Sequence, residues 1–174
     1  LHTDHQSGAE KLAETTEAQT AIGRGTGSST ASVLLEDGQE LSFGAFSIKA
    51  LATPGHTPGC MSFLLEGMLF CGDTLFIRSC GRTDFQQGDP RVLYQSIHEK
   101  LFRLPPETLV YPGHDYNGII VSTIGEELRW NTSVGHGISE QDFVERMKKL
   151  HFPDSNSIEE ERTLPISHHA GLHV

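Results

Sequence analysis

Four short clusters of histidine and aspartate carry most of the chemistry that this sequence could perform. They occupy residues 2–5 (HTDH), 53–60 (TPGHTPGC), 70–74 (FCGDT) and 111–116 (YPGHDY). Imidazole nitrogens and carboxylate oxygens are ligands of first-row transition metals, and the glycine and proline beside them favour rigid loops. Taken one at a time, the clusters also fit ordinary turns or a solvated terminus, so metal binding is a hypothesis that needs all four together.

Strands must position these clusters, because three of them directly follow or enclose the end of an apolar run. An alternating pattern after the Asp37-Gly38 turn, with apolar residues at 43, 46, 48 and 50, predicts one strand. Two short buried strands, 61–65 and 68–71, are predicted around a Glu66-Gly67 turn, and a further strand at 108–111. The histidine and aspartate clusters therefore fall in loops at strand ends, where a rigid scaffold can hold a site.

Three helices are predicted from capping signals and from apolar positions at helical spacing. A capping box at residues 7–10 opens the first helix, which extends to about Thr16. Asp89 followed by Pro90 starts the second, which extends to about Arg103. Ser139 caps the third. The apolar faces of the second and third helices are Val92, Leu93, Ile97 and Leu101, and Phe143, Val144, Met147 and Leu150.

Length, charge and cysteine usage limit the class of protein. The 174 residues suit one domain, taken here as 1–150, with a polar tail at 151–174. The net charge of −10 argues against nucleic acid binding, and no apolar run approaches the length of a membrane span. Three cysteines without C-x-x-C spacing favour free thiols and a reducing compartment. The first residues do not form a signal peptide and lack a starting methionine.

The order of the four clusters resembles the ligand series of the metallo-β-lactamase superfamily. That resemblance implies an αββα sandwich with a metal site at one edge of its two sheets. The first superfamily motif reads His-x-His-x-Asp-His, and its last three ligands match His2, Asp4 and His5. Its first histidine would then fall just before Leu1. We therefore expect this sequence to lack that ligand and the first strands of the fold, and to bind metal poorly by itself.

The segment 79–88 (SCGRTDFQQG) is more specific and resembles the signature of persulfide dioxygenases. That family implies one Fe(II) per chain, held by His56, Asp73 and the first histidine of the motif. His114 completes the implied catalytic set. His2, Asp4, His5 and His114 would surround the iron as supporting residues, although the same positions are metal ligands in the zinc enzymes of the superfamily.

The resemblance implies oxidation of glutathione persulfide with O2 to sulfite and glutathione. A peptide substrate with carboxylates needs cationic and polar groups, for which Arg82 is the main candidate and Thr57, Thr83 and Tyr116 are expected neighbours. The alternative for Arg82 is a structural ion pair with Asp84. The family implies a mitochondrial matrix location in eukaryotes and a cytoplasmic one in bacteria.

Two other interpretations stay open from the sequence. The first is a zinc thioester hydrolase of the glyoxalase II kind, which shares the ligand series and uses a metal-bound hydroxide. The second is an inactive fragment with an incomplete site. The oligomeric state, a homodimer included, is also open. Cys80 beside the Arg82 loop invites a redox role, but a buried and inert thiol is the favoured interpretation.

Overall fold

The computed structural model describes residues 7–27, 31–116 and 118–150, and these residues form ten strands and four α-helices. The strands are β1 Ala21–Gly23, β2 Val33–Leu35, β3 Glu40–Phe43, β4 Phe46–Ala52, β5 Met61–Leu65, β6 Met68–Gly72, β7 Leu75–Phe76, β8 Ser79–Cys80, β9 Leu109–Pro112 and β10 Ser122–Thr123. The helices are α1 Ala9–Thr16, α2 Pro90–Glu99, α3 Ile124–Trp130 and α4 Glu140–Lys149.

One six-stranded sheet organises the domain, in the order β10-β9-β6-β5-β4-β3. All neighbours are antiparallel except β6 and β9, which pair in parallel from Met68 and Leu109 to Gly72 and Pro112. Strands β1 and β2 form a separate parallel pair, and β7 and β8 form a small antiparallel hairpin. The parallel pair places the carboxyl ends of β6 and β9 at the same edge, so the third and fourth clusters are brought together.

The two faces of the six-stranded sheet differ in what covers them. One face contributes Leu69, Cys71 and Val110 to the core. Most of the remaining core residues are on helices α2, α3 and α4. These helical residues are Leu93, Ile97, Ile124, Phe143 and Met147. On the other face, the Phe70 ring stacks on Tyr111 at 5.3 Å between centroids and is 42% exposed. The helices therefore cover the first face, while the second presents aromatic surface.

The turn after β5 confirms the prediction, but the strand predicted across 43–50 is wrong. Glu66 and Gly67 both have positive φ, as expected for a two-residue hairpin turn between β5 and β6. A second hairpin turn, with Gly44 at φ 57°, divides the other segment into β3 and β4, which pair Phe43 with Phe46. Residues three positions apart cannot share a face of one strand, and the fold resolves this conflict by reversing the chain.

The predicted caps of α2 and α4 and the predicted end of α1 at Thr16 are confirmed. The Asp89 carboxylate accepts from the amides of Arg91 and Val92, with Pro90 in the first turn of α2, and Ser139 Oγ accepts from an amide of α4. Helix α2 ends at Glu99, before a 3-10 turn at Leu101–Arg103, so its predicted end at Arg103 is wrong. The capping box is also wrong, because Gly8 occupies the N-cap of α1.

Within residues 7–27, 31–116 and 118–150, no helix has the length and apolar character needed to cross a bilayer. The predicted tail at 151–174 lies outside the described residues, as do His2, Asp4 and His5.

Candidate metal centre

Asp73 is the central side chain of the site and lies one residue after β6. Its side chain is only 8% exposed, and both of its oxygens face a histidine. Nδ1 of His114 lies 2.7 Å from Oδ1, a distance at which the imidazole N–H donates to the carboxylate. Nε2 of His56 lies 3.6 Å from Oδ2. The structure thus brings together the three predicted catalytic residues, His56, Asp73 and His114.

The backbone of the neighbouring loop fixes the orientation of His56. Its Nδ1 lies 2.7 Å from the carbonyl oxygen of Arg82, which can only accept, so Nδ1 carries the proton and Nε2 keeps its lone pair. Metal-binding histidines commonly donate their second nitrogen to a carbonyl or carboxylate in this way. The arrangement turns the Nε2 lone pair of His56 toward Asp73.

The separation of His56 Nε2 from Asp73 Oδ2 fits two ligands of one ion. At 3.6 Å it exceeds the length of a normal hydrogen bond. Ligands that each lie about 2.0–2.2 Å from a common metal are roughly 3–3.6 Å apart. Together with the imidazole–carboxylate donor set, this spacing shows that His56 and Asp73 fit a divalent transition metal.

The predicted ligand set cannot be assembled from the described part of the chain alone. Among residues 7–27, 31–116 and 118–150, no group of three or more His, Cys, Asp or Glu side chains is arranged to hold a metal ion. The histidines and aspartate of the first cluster lie outside those ranges, so their predicted roles are not tested. His114 contacts the carboxylate of Asp73 through Nδ1, as expected of a supporting residue.

The close packing of the site requires two glycines that the sequence analysis did not select. A Cβ on Gly81 would lie 2.0 Å from the backbone oxygen of Asp73 and 3.1 Å from Nδ1 of His56. A Cβ on Gly113 would lie 2.6 Å from Oδ1 of Asp73. The available signal was the glycine directly before Arg82 and before His114, which marks a close backbone approach.

The loop that carries His56 is fixed by contacts at Thr53 and at Gly55, just before the histidine. The Thr53 hydroxyl is fully buried and lies 2.9 Å from Ser62 Oγ, and the amide of Asp89 donates to the Gly55 carbonyl at 2.8 Å. Gly55 has φ 135°, and a Cβ there would lie 2.3 Å from the Cα of Leu93. Helix α2 therefore packs directly against the loop and holds it in place.

The predicted substrate-binding residues surround the site but differ in exposure. Arg82 forms a bidentate ion pair with Asp84, at 2.7 and 2.9 Å. This ion pair is the alternative to substrate binding that the sequence left open for Arg82. Thr57 and Thr83 are buried. Tyr116 is 71% exposed, and its ring stacks on His114 at 5.8 Å between centroids. Tyr116 is thus the most accessible of the four, and substrate contact stays a prediction for all of them.

The thiols near the site are held in the neutral form. Burial raises the pKa of Cys71 and of Cys80 to about 12, and Cys71 also donates to the Leu75 carbonyl at 3.0 Å. Because the thiolate is the reactive form, the raised pKa supports an inert Cys80, but its side chain is partly exposed and not fully buried as predicted.

Comparison with known proteins identifies relatives over most of the chain. A sequence model described as the metallo-beta-lactamase superfamily matches residues 1–114. The mitochondrial persulfide dioxygenase ETHE1 of Bos taurus is 45% identical over 161 residues, which are 91% of this chain and 62% of the relative. The crystal structure of ETHE1 from Myxococcus xanthus aligns with a TM-score of 0.85 and 43% identity, covering 91% of this chain and 69% of that one.

A hydrolase is also similar over part of the chain. A hydroxyacylglutathione hydrolase of Brucella anthropi is 46% identical over 84 residues, which are 47% of this chain and 31% of the relative. This chain therefore spans less than two thirds of the bovine dioxygenase and about a third of the hydrolase.

Proposed function

This chain belongs to the metallo-beta-lactamase superfamily, and we propose that the protein is a persulfide dioxygenase that oxidises glutathione persulfide with O2 to sulfite and glutathione. The observation that carries the proposal is the position of segment 79–88, whose sequence resembles the persulfide dioxygenase signature. Its Arg82 carbonyl oxygen accepts from His56, and its Gly81 packs against Asp73. The family-specific segment thus forms a wall of the metal centre.

We propose Fe(II) as the metal, one ion per chain, held by His56, Asp73 and the first histidine of the superfamily motif. Iron supplies the redox chemistry that oxidation of sulfur by O2 requires, whereas Zn²⁺ has no redox role. His114 keeps its Nδ1 proton on Oδ1 of Asp73, which leaves Oδ2 directed toward His56. The chain would thereby present Oδ2 of Asp73 and Nε2 of His56 to the ion.

We propose that Arg82 and Tyr116 bind the glutathione part of the substrate. The Arg82 side chain is 24% exposed and already holds a carboxylate, that of Asp84, in a bidentate geometry. A substrate carboxylate can compete with Asp84 for the Arg82 guanidinium, since guanidinium groups bind carboxylates through two parallel hydrogen bonds. The exposed Tyr116 ring, stacked on His114, offers an aromatic surface beside the site.

The second candidate function is hydrolysis of a glutathione thioester, favoured by the similarity to hydroxyacylglutathione hydrolase over 84 residues. A hydrolase would use zinc and a metal-bound hydroxide.

The mitochondrial name of the bovine relative supports a matrix location if the source is eukaryotic, and we propose the cytoplasm if it is bacterial.

The two functions are separated by metal content and by O2 consumption. The full-length protein, purified anaerobically, should contain about one iron per chain and consume O2 while forming sulfite from glutathione persulfide. Asp73→Asn should lose both iron and activity, while Asp142→Asn on the surface of α4 should retain them. Tightly bound zinc, cleavage of lactoylglutathione and no O2 uptake would establish the hydrolase instead.

A further inference from the structure

Glu127 is a fully buried carboxylate outside the metal centre, and it is held by four donors. Its side chain has no exposed surface. Oε1 accepts from Arg78 Nη1 at 2.5 Å and from Ser122 Oγ at 2.6 Å, and Oε2 accepts from the Arg78 amide at 2.8 Å and from Asn131 Nδ2 at 2.9 Å. A buried charge with this many partners is costly to disturb, because removal of one partner leaves the others unpaired.

The donors to Glu127 hold the hairpin formed by β7 and β8. Arg78 is in the turn of this hairpin, with φ 65°, and is bound through both its amide and its guanidinium. Asn131 Nδ2 has two hydrogens and donates them to Glu127 and to the carbonyl of Ser79 on β8, at 2.9 Å, while the carbonyl of Phe76 on β7, at 3.3 Å, shares one of them. Glu127 of α3 and Asn131, the residue after that helix, therefore contact the turn and both strands of the hairpin.

The open end of the same hairpin is the metal centre. The chain enters β7 from Asp73 and leaves β8 into Gly81 and Arg82. Gly81 packs so closely on Asp73 that a Cβ would lie 2.0 Å from its backbone oxygen, and the Arg82 carbonyl accepts from His56. Any shift of the hairpin must therefore move the group that fixes the His56 imidazole.

We propose that Glu127 is a positioning residue for His56, acting through the β7–β8 hairpin. The inference rests on the metal centre of the proposed function, but not on the identity of the substrate or of the metal. Its role is to keep the Arg82 carbonyl where it holds the proton on Nδ1 of His56, so that Nε2 stays available for coordination.

The chain offers a matched control in the adjacent residue. Glu126 is on the same helix, and its Oε2 lies 2.9 Å from Ser122 Oγ, whose single hydrogen it shares with Glu127, and 3.8 Å from Arg78, but its side chain is 52% exposed. We expect Glu127→Gln to affect the site because the new amide turns a donor toward Arg78. Glu126→Gln should leave the site unchanged, since solvent can replace its contacts.

The test reads the imidazole itself in the metal-free, full-length protein. Nitrogen NMR of histidines at about pH 8, where imidazole is ordinarily neutral, distinguishes a protonated Nδ1 from a protonated Nε2; a His56→Gln sample assigns the signal. In the parent protein and in Glu126→Gln, His56 should carry its proton on Nδ1. Glu127→Gln should give a mixture of the two tautomers.

A second readout is the affinity for Co(II), titrated anaerobically and followed by its visible spectrum. Loss of a supporting contact to a metal-bound histidine typically weakens binding by 10–100-fold, so we expect about tenfold for Glu127→Gln and no change for Glu126→Gln. Neither readout uses persulfide, so a wrong substrate assignment would leave both results standing.

A second variant separates positioning from folding. Asn131→Ser removes the contacts to the hairpin carbonyls and should also release the His56 tautomer. Folded Glu127→Gln or Asn131→Ser protein with the parent tautomer and Co(II) affinity within twofold would overturn the proposal. Failure of both variants to fold would also overturn it, since the network would then be a determinant of folding rather than of the site.

Discussion

Gly81→Ala should damage the metal centre while the protein stays folded. The new Cβ would lie 2.0 Å from the backbone oxygen of Asp73, whereas real Cβ contacts are not found under 3.0 Å, so the backbone must move by about 1 Å. The same methyl group would lie 3.1 Å from His56 Nδ1, beside the hydrogen bond that orients the ring. A displacement of about 1 Å at a catalytic group can reduce the rate by roughly 10²-fold.

The expected loss of stability is about 1–3 kcal/mol, the usual cost of overpacking a packed site. That cost corresponds to a melting temperature lower by roughly 2–12 °C for a domain of this size. The assay compares metal content, kcat and thermal unfolding of the full-length protein with those of Gly8→Ala, a position where a Cβ meets nothing within 4 Å. Metal content and kcat of Gly81→Ala within twofold of the parent values would refute the reasoning.

Three further predictions concern stability and substrate binding. Asp89→Ala should lower the free energy of unfolding by about 1 kcal/mol in urea, because its carboxylate caps two amides of α2; an unchanged midpoint would contradict this. Burial lowers the pKa of His98 from 6.5, so the unfolded chain binds a proton that the folded chain does not, and stability should fall as the pH drops below 6.5. His98→Gln should flatten that part of the profile, and an unaltered profile would exclude His98 as its cause. Arg82→Ala should raise KM for glutathione persulfide about tenfold with iron retained, because it removes a cation and leaves Asp84 facing the substrate. The control variant Arg91→Ala should leave KM unchanged. Loss of iron from Arg82→Ala would show that Arg82 is only structural.

Much of the local structure could be predicted because its signals are local. The Glu66-Gly67 turn and the Asp89 cap depend on backbone conformation and amide satisfaction within a few residues, which the sequence displays directly. The hairpin at Gly44 had a signal too, since Phe43 and Phe46 are three apart and break a period of two, but one strand was preferred over two.

The candidate site could be predicted as a set of residues but not as a geometry. The Gly-His and Gly-Asp clusters identified His56, Asp73 and His114, and the fold brings all three together. Nothing in the local sequence distinguishes buried Glu127 from exposed Glu126, since both occupy the first turn of α3. Only the position of the β7–β8 hairpin against one side of the helix makes the difference, and that is a tertiary contact.

The parallel pairing of β6 with β9 also bears on the order in which the protein can fold. Asp73 and His114 are 41 positions apart in the chain, and their contact requires the intervening crossover, with α2, to be in place. Closing such a loop costs conformational entropy before the contact contributes any stability, so long-range pairings of this kind form slowly. A metal ion that binds only the closed site would therefore stabilise the closed crossover by mass action.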